Sequence, residues 1–212
     1  MTCKLIAIGG PTQAGKSSCA DAIVMMVREK KELKAEVVCM DDHFLPHPKL
    51  AKIKLRNCSK PVKNYEIPES IDREQFRNAI VRAMQNEDND IVVVEGFLVF
   101  AGNFLDGLST NLKLYLHAEK ELVRNRRCNP DSDKKQSKEY FDKITWPSHL
   151  QHGLLTSSSD AICINILSST NKSDLLTQVC TIVNTHLFGN QAVAEQDESS
   201  DEDVIVADLA KR

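Results

Sequence analysis

The chain has 212 residues, of which 42% are hydrophobic, and a formal net charge of −3 at pH 7. This length and composition fit one globular domain with a substantial core, and the small negative charge argues against nucleic acid or an anionic membrane as a partner. The longest apolar runs are far shorter than a membrane span. We therefore expect a soluble protein of the cytoplasm, with entry to the nucleus left open.

Five short apolar segments alternate with helical patterns along the chain. The segments have the near-continuous apolarity of strands buried on both faces of a parallel sheet, and they span residues 4–8, 36–40, 91–94, 112–116 and 161–167. Apolar residues three and four positions apart predict helices at residues 16–30, 71–85, 119–127 and 172–188. Ser70 is the predicted N-cap of the second helix, and either Asn171 or Ser173 is that of the fourth. The alternation predicts an α/β fold with a mostly parallel five-stranded sheet and helices on both faces.

The composition divides the chain into a domain at residues 1–188 and a tail at residues 189–212. Residues 195–203 read EQDESSDED, an acidic run without aromatic residues, which predicts disorder. A protein partner could bind through this tail. Within the domain, residues 128–139 are rich in Lys, Asp and Ser and have the composition of a small lid. The irregular stretch at residues 42–70 is long for a plain connection, which favours a functional role for it.

The sequence GGPTQAGKSS at residues 9–18 follows the first predicted strand and has the pattern of a phosphate-binding loop. Glycines at positions 10 and 15 let the backbone turn its N–H groups toward an anion, and the following helix adds its positive end. Lys16 would reach the terminal phosphates of ATP, and Ser17 would hold Mg²⁺. The predicted ATP-binding residues of this loop are Gly10, Thr12, Gln13, Ala14, Gly15, Lys16, Ser17 and Ser18. The motif makes an ATP-dependent phosphotransferase the leading hypothesis.

Acidic residues follow two further predicted strands. Asp41 and Asp42 come directly after the second strand, and Glu95 follows the third. Ligands bind outside the carboxyl ends of strands in an open parallel sheet, so these carboxylates should approach the phosphate loop. Phosphoryl transfer needs Mg²⁺ on the phosphates and a carboxylate that accepts the proton of the attacking hydroxyl. Because successive strand side chains point to opposite faces, Asp41 and Asp42 need not share one task.

Six blocks of sequence together resemble nicotinamide riboside kinase, a family that belongs with the uridine kinase group. The blocks are GPTQAGKS at residues 10–17, DDHF at 41–44, NYEIPESID at 64–72, VEGFLVF at 94–100, RR at 126–127 and YFDKITWP at 140–147. They occur in order within residues 4–188, nearly the whole of the predicted domain. The fourth and sixth blocks are the more specific ones, because a phosphate loop alone occurs in many unrelated enzymes.

The resemblance implies a three-layer phosphate-loop NTPase fold, ATP and Mg²⁺ as cofactors, and a small-molecule nucleoside as substrate. The implied reaction phosphorylates the ribose 5′-hydroxyl of nicotinamide riboside to give nicotinamide mononucleotide, a salvage step of NAD biosynthesis. Asp41 corresponds to the general base, with Lys16 as its catalytic partner. The implied metal site comprises Ser17, Asp41 and Glu95, with Glu95 acting through water.

The resemblance also assigns substrate contacts. Tyr65 matches an aromatic residue that stacks on the base, and Phe44 is a candidate wall of the same pocket. Glu66 falls where the family usually has an Asp that binds the ribose hydroxyls. Arg127 matches an arginine that steadies the transferring phosphate, and Arg124 or Arg126 could share that role. The loop at residues 168–172, with Ser169 and Lys172, lies where the family contacts adenine.

The predicted lid departs from the family, which tends to supply a second aromatic ring there, because residues 128–139 contain none. Uridine or cytidine is therefore an alternative substrate. A non-catalytic, nucleotide-binding regulatory protein is an alternative from another class. Individual residues also have structural readings: Tyr65 as packed core, Glu66 as a solvated surface charge, and the arginines as the wet face of a helix.

Overall fold

The computed structural model describes residues 3–56, 58–131, 135–157, 160–167 and 169–189. Within them, the strands are β1 Lys4–Gly9, β2 Ala35–Cys39, β3 Lys52–Ile53, β4 Val62–Lys63, β5 Ile91–Glu95, β6 Leu112–Ala118 and β7 Ile162–Ile166. The α-helices are α1 Lys16–Lys31, α2 Arg73–Gln85, α3 Lys120–Arg127, α4 Lys138–Tyr140, α5 Trp146–Ser157 and α6 Lys172–Phe188. The predicted tail from residue 190 onward, residues 132–134 of the predicted lid, and Ser168 lie outside the described residues.

Five strands form one sheet in the order β2-β5-β1-β6-β7, and every neighbouring pair is parallel. The register places Ile8 and Cys39 on either side of Glu95. The carboxyl ends of the three strands β1, β2 and β5 therefore stop at one level. The predicted α/β fold with a five-stranded parallel sheet is confirmed.

The central strands β1 and β5 are buried on both faces, as the apolar runs predicted, whereas the edge strand β7 is not, because Ile162, Cys163 and Asn165 are exposed. Ile6 and Ile8 of β1 pack into a core with α1 and α6 on one face, whereas Leu5 and Ala7 pack into a second core with α2 on the other. These four side chains have no exposed surface. Burying a Leu or Ile side chain contributes about 1.5–3 kcal/mol, so both faces need their helices. The result is the predicted three-layer arrangement.

The two N-cap predictions had different outcomes. Asn171 caps α6, because its side chain accepts a hydrogen bond of 2.7 Å from the backbone N–H of Asp174. The prediction for α2 was wrong: the cap is Asp72, which accepts from the backbone N–H of Gln75 at 3.0 Å. Ser70 instead ends a short 3₁₀ turn, where its hydroxyl donates to the Ile67 carbonyl at 2.6 Å.

The long stretch between β2 and α2 contains local structure. It has three 3₁₀ turns, at Met40–His43, His47–Lys49 and Pro68–Ser70, and the two-stranded antiparallel hairpin of β3 and β4. An isolated bridge between Phe44 and Ile71 closes this excursion at its base. Farther along the chain, a π-helical segment at Phe141–Thr145 connects α4 to α5. None of the described helices is long and apolar enough to cross a membrane.

Candidate active site

A cleft of about 570 Å³ opens beside the carboxyl ends of β1, β2 and β5. This is the edge of an open parallel sheet where ligands bind. The residues that line it are Thr12, Gln13, Gly15, Lys16, Ser17, Ser18, Asp41, Phe44, Tyr65, Glu66, Glu95, Phe97 and Arg127. The cleft thus gathers most of the predicted site residues from separate parts of the chain.

The phosphate loop between β1 and α1 depends on left-handed backbone conformations. Gly10 has φ of +137° and Gly15 has φ of +94°, and Gln13 between them has φ of +59°. A Cβ at Gly10 would lie 2.4 Å from the Leu116 carbonyl oxygen, so only glycine fits there. α1 begins directly after Gly15, and its first N–H groups therefore point into the cleft. This backbone geometry suits the binding of an anion such as phosphate.

Lys16 is 9% exposed and lines the cleft, where its ammonium donates to the Pro11 carbonyl at 2.9 Å. Gly10 and Ala14 are not among the cleft-lining residues. Ala14 is fully buried, so it supports the loop from behind. The loop side chains that line the cleft are those of Thr12, Gln13, Lys16, Ser17 and Ser18.

Ser17 and Glu95 form the centre of the oxygen-rich part of the site. The Ser17 hydroxyl donates to Glu95 Oε1 at 2.9 Å, and the Cys39 thiol lies 3.0 Å from the same oxygen. Glu95 is only 4% exposed, so these donors hold its carboxylate in one orientation. Asp41 lines the same cleft from the 3₁₀ turn after β2. Asp42 is exposed and lines a different groove, with His43.

Hydroxyl and carboxylate oxygens of this kind suit Mg²⁺, which keeps several waters and binds through one or two carboxylates and the phosphates of its substrate. In the described part of the chain, no group of three or more His, Cys, Asp or Glu side chains could hold a metal alone. The chemistry of Ser17, Asp41 and Glu95 therefore fits a cation that arrives with a nucleotide.

Aromatic side chains form the other end of the cleft. The rings of Phe44 and Tyr65 meet edge to face with centroids 5.3 Å apart, and Phe44 stacks on Phe97 at 6.1 Å. All three are half-buried and line the cleft, so Tyr65 is not simply packed core. The Tyr140 hydroxyl accepts from the Tyr65 backbone N–H at 3.2 Å and donates to the Lys63 carbonyl at 3.1 Å, which fixes the segment that carries Tyr65.

Glu66 is buried, with 6% exposure, so its reading as a solvated surface charge was wrong. Its Oε1 lies 2.9 Å from Thr145 Oγ1 and 3.2 Å from Gln136 Nε2, and the Ser148 hydroxyl donates to its backbone carbonyl. Burial raises the pKa of Glu66, while Thr145, Gln136 and the charge of Arg127 act in the opposite direction. The carboxyl group is thus fixed in place beside the cleft.

The three arginines near the end of α3 have different environments. Arg124 pairs with Asp142 at 2.9 Å, and Arg126 donates to the Gln13 carbonyl of the phosphate loop at 3.1 Å. Arg127 lines the cleft, and its Nε and Nη1 are buried without a hydrogen-bond partner among the described residues. Burial lowers the pKa of Arg127, against the opposing charges of Glu66 and Asp41. A buried guanidinium with unused donors is suited to bind an anion.

Besides Gly10 and Ala14, two further predicted residues lie outside the cleft lining. Ser169 is exposed before α6, and Lys172 begins α6 and lines a separate groove with Ser18. Sequence reasoning also missed contributors. Cys39 ends β2, and this position could have predicted that its thiol lies near the cleft. The sequence does not indicate that Gln136 and Thr145 contact Glu66.

The fold is similar to that of thymidylate kinase from Candida albicans, with a TM-score of 0.55 and 15% identity, over 87% of this chain and 92% of that chain. It is also similar to shikimate kinase from Bacteroides thetaiotaomicron, with a TM-score of 0.52 and 12% identity, over 85% of this chain and 96% of that chain. No protein-family profile and no curated protein matches the chain. At such identities the likeness establishes the fold, which the chain shares with kinases that carry a phosphate loop.

Proposed function

We propose that this protein is an ATP-dependent small-molecule kinase that phosphorylates the ribose 5′-hydroxyl of nicotinamide riboside. The observation that carries the proposal is the single cleft that joins a phosphate loop, the Ser17–Glu95 pair, Asp41 and an aromatic wall. A phosphate-binding end and a base-binding end in one cleft are what the transfer of a phosphoryl group to a nucleoside requires.

Asp41 is the proposed general base, because it lines the same cleft as the phosphate loop and the aromatic wall. It would accept the proton of the attacking 5′-hydroxyl. Lys16 and Arg127 would place positive charge on the transferring phosphoryl group, where charge develops in the transition state. Ser17, Asp41 and Glu95 would hold Mg²⁺, which neutralises phosphate charge when bound.

The nucleoside would occupy the opposite end of the cleft. Tyr65 offers a ring face for the base, with Phe44 and Phe97 behind it, and Glu66 offers a carboxyl oxygen to the ribose. The assignment to nicotinamide riboside rests on the six sequence blocks described above. Ser169 and Lys172 remain proposed adenine contacts, which would require the loop before α6 to approach bound ATP.

Uridine or cytidine is the second candidate substrate. The observation that favours it is the lack of an aromatic residue at positions 128–139. Stacking on one aromatic side chain contributes about 1–3 kcal/mol per base, so a base held by Tyr65 alone loses that part of its discrimination. The pyrimidine base of uridine or cytidine could then bind to Tyr65 in place of the pyridine ring of nicotinamide riboside.

A regulatory protein that binds ATP without phosphoryl transfer is the alternative from another class. It has no chemical need for Asp41 and Glu95 in the same cleft as Lys16. Binding of ATP alone requires only the loop and the helix N-terminus.

The test is ATP-dependent phosphorylation by the purified protein with Mg²⁺, using nicotinamide riboside, nicotinic acid riboside, uridine, cytidine and pantothenate. Selective turnover of the pyridine ribosides is the expected result. Turnover of uridine or cytidine instead would replace the substrate assignment and keep the kinase assignment. ATP binding without any turnover would favour the regulatory alternative.

A further inference from the structure

The side chains of Glu66, Thr145 and Gln136 form a closed triangle of polar contacts beside the cleft. Thr145 Oγ1 lies 2.9 Å from Glu66 Oε1, and Gln136 Nε2 lies 3.2 Å from the same oxygen. The third contact, of 3.0 Å, joins Thr145 Oγ1 to Gln136 Oε1. Thr145 is 2% exposed and Glu66 is 6% exposed, so their mutual contact is shielded from water, and Gln136 is half-buried.

Each contact has the length of a hydrogen bond, and each therefore needs one proton between its two heavy atoms. The Thr145 hydroxyl supplies one proton, and the Gln136 amide supplies one through its nitrogen. Rotating the amide changes which contact it serves but adds no proton. An ionised Glu66 supplies none, so one contact would bring two acceptors together. The triangle closes only if the carboxyl group of Glu66 carries the third proton.

We propose that Glu66 is a neutral carboxylic acid before substrate binds, and that it offers the substrate an uncharged hydrogen-bond acceptor. In this arrangement the Glu66 hydroxyl donates to Thr145, Thr145 donates to Gln136 Oε1, and the Gln136 amide donates to Glu66 Oε1. Glu66 Oε2, which takes part in none of the three contacts, is the oxygen left for a ligand. That this ligand is a ribose hydroxyl rests on the function proposed above.

The groups that face Glu66 agree with a neutral carboxyl. Burial raises its pKa and the neighbouring charge of Asp41 acts in the same direction, whereas Thr145, Gln136 and Arg127 act against them. From α4 the phenol of Tyr140 also faces Glu66, and burial raises the pKa of that phenol to about 12. From α5, His152 contacts the Glu66 backbone, and burial lowers the pKa of its ring. Arg127 is thus the cation near this carboxyl.

The environment of Arg127 supports the same conclusion. A buried guanidinium beside an ionised carboxylate is expected to form a short, often two-pronged ion pair. Instead, Nε and Nη1 of Arg127 have no partner among the described residues. A neutral Glu66 leaves the charge of Arg127 uncompensated on that side. Glu66 and Arg127 would then have separate roles. The carboxylic acid would accept a hydrogen bond from a sugar hydroxyl, and the uncompensated charge of the guanidinium would bind the phosphoryl group.

Infrared spectroscopy of the full-length protein at pH 7 tests the protonation state without any need for turnover. The expected result is a carboxylic-acid C=O band in the unmodified protein that Glu66→Gln removes. Glu69→Gln is the matched control, because Glu69 is nearby and exposed, and it should leave the band in place. A spectrum of the unmodified protein without any such band would overturn the proposal, even if Glu66→Gln failed to fold.

Steady-state kinetics test the second half of the proposal. Glu66→Gln keeps a neutral acceptor but loses one bond of the triangle, so we expect the KM for the nucleoside to rise only about threefold. Glu66→Ala removes the acceptor, and the same KM should rise about tenfold or more, with the KM for ATP unchanged in both variants. An equal rise of the nucleoside KM in the two variants would mean that binding needs the negative charge of Glu66, which would overturn the proposal of a neutral acceptor. If the unmodified protein phosphorylates no nucleoside, the proposed function fails, while the infrared result still decides the protonation state.

Discussion

Asp41 and Asp42 are adjacent in sequence, but only Asp41 lines the cleft. Asp41→Asn cannot accept the proton of the attacking hydroxyl, so we expect kcat to fall by about 10²–10⁴-fold, with ATP affinity retained. Asp42→Asn is the matched control and should keep the activity of the unmodified protein. The measurements are kcat on the best nucleoside substrate and ATP binding by calorimetry. Near-normal turnover in Asp41→Asn would remove the assigned base.

Cys39 contacts Glu95 and is therefore a thiol inside the proposed metal site. Burial, together with Glu95, raises the pKa of Cys39 to about 12. A raised thiol pKa favours the protonated form, so Cys39 is a thiolate far less often than an ordinary exposed cysteine at pH 8. We expect iodoacetamide to modify the exposed Cys163 at pH 8 well before Cys39, as followed by mass spectrometry of the digested protein. Denaturant should abolish the difference, and rapid labelling of Cys39 in the native protein would contradict the assigned environment.

Glu66 illustrates which parts of the site the sequence could predict. Its block of sequence placed it near the substrate, and the structure does put it in the cleft. Its partners could not be predicted, because Gln136 and Thr145 are 70 and 79 positions away. Thr145 lies in the sixth sequence block and Gln136 in the predicted lid, but neither pattern indicates a contact with Glu66. Phosphate loops and strand ends have local signals, whereas a polar triangle assembled by tertiary packing has none.

The phosphate loop offers a test of backbone geometry. In Gly10→Ala the methyl group would lie 2.4 Å from the Leu116 carbonyl oxygen, at a φ of +137° that L-residues rarely adopt. We expect a loss of about 2 kcal/mol or more in the free energy of unfolding, together with loss of ATP binding, because the loop must move. Urea denaturation and calorimetry measure the two effects.

Gly107→Ala is the control for the Gly10 variant. Gly107 also has a positive φ, of +72°, but a methyl group there would have nothing within 4 Å. Only the conformational cost remains, about 1–2 kcal/mol, and ATP binding should be unchanged. If Gly10→Ala binds ATP as well as Gly107→Ala does, close contact with β6 is not what shapes the loop.

Among the secondary-structure elements, the long apolar runs were predicted well and α5 was missed. The buried strands, such as the predicted 91–94 and the observed Ile91–Glu95, agree within two residues because both faces of the sheet are covered. α5 contains Pro147 and Gly153, which usually argue against a helix. Pro147 lies directly after the π-helical segment Phe141–Thr145, within a continuous helical run that begins at Lys138. Gly153 packs closely on Tyr115, because a Cβ there would lie 2.9 Å from the phenol oxygen and would require that side chain to shift.

The acidic C-terminal segment gives a prediction about the chain as a unit. Residues 190–212 are rich in acidic residues and lack aromatic ones, a composition that adds little to a core. We expect a variant that ends at Gly189 to keep its melting temperature and its kcat for the nucleoside. Thermal denaturation and the kinase assay measure this. A large change in either value would assign the segment a direct role in the domain and would favour the regulatory alternative.

The strand order also has a consequence for synthesis of the protein on the ribosome. β1, which carries the phosphate loop, is made first, but its two neighbours in the sheet are β5 and β6. β1 therefore cannot pair with both of its neighbouring strands until residues up to Ala118 have been translated. Pairings this distant in sequence are slow to form, so the apolar strand β1 stays open to aggregation while much of the protein is still being synthesised. We expect fragments that end before Leu112 to be unable to bind ATP.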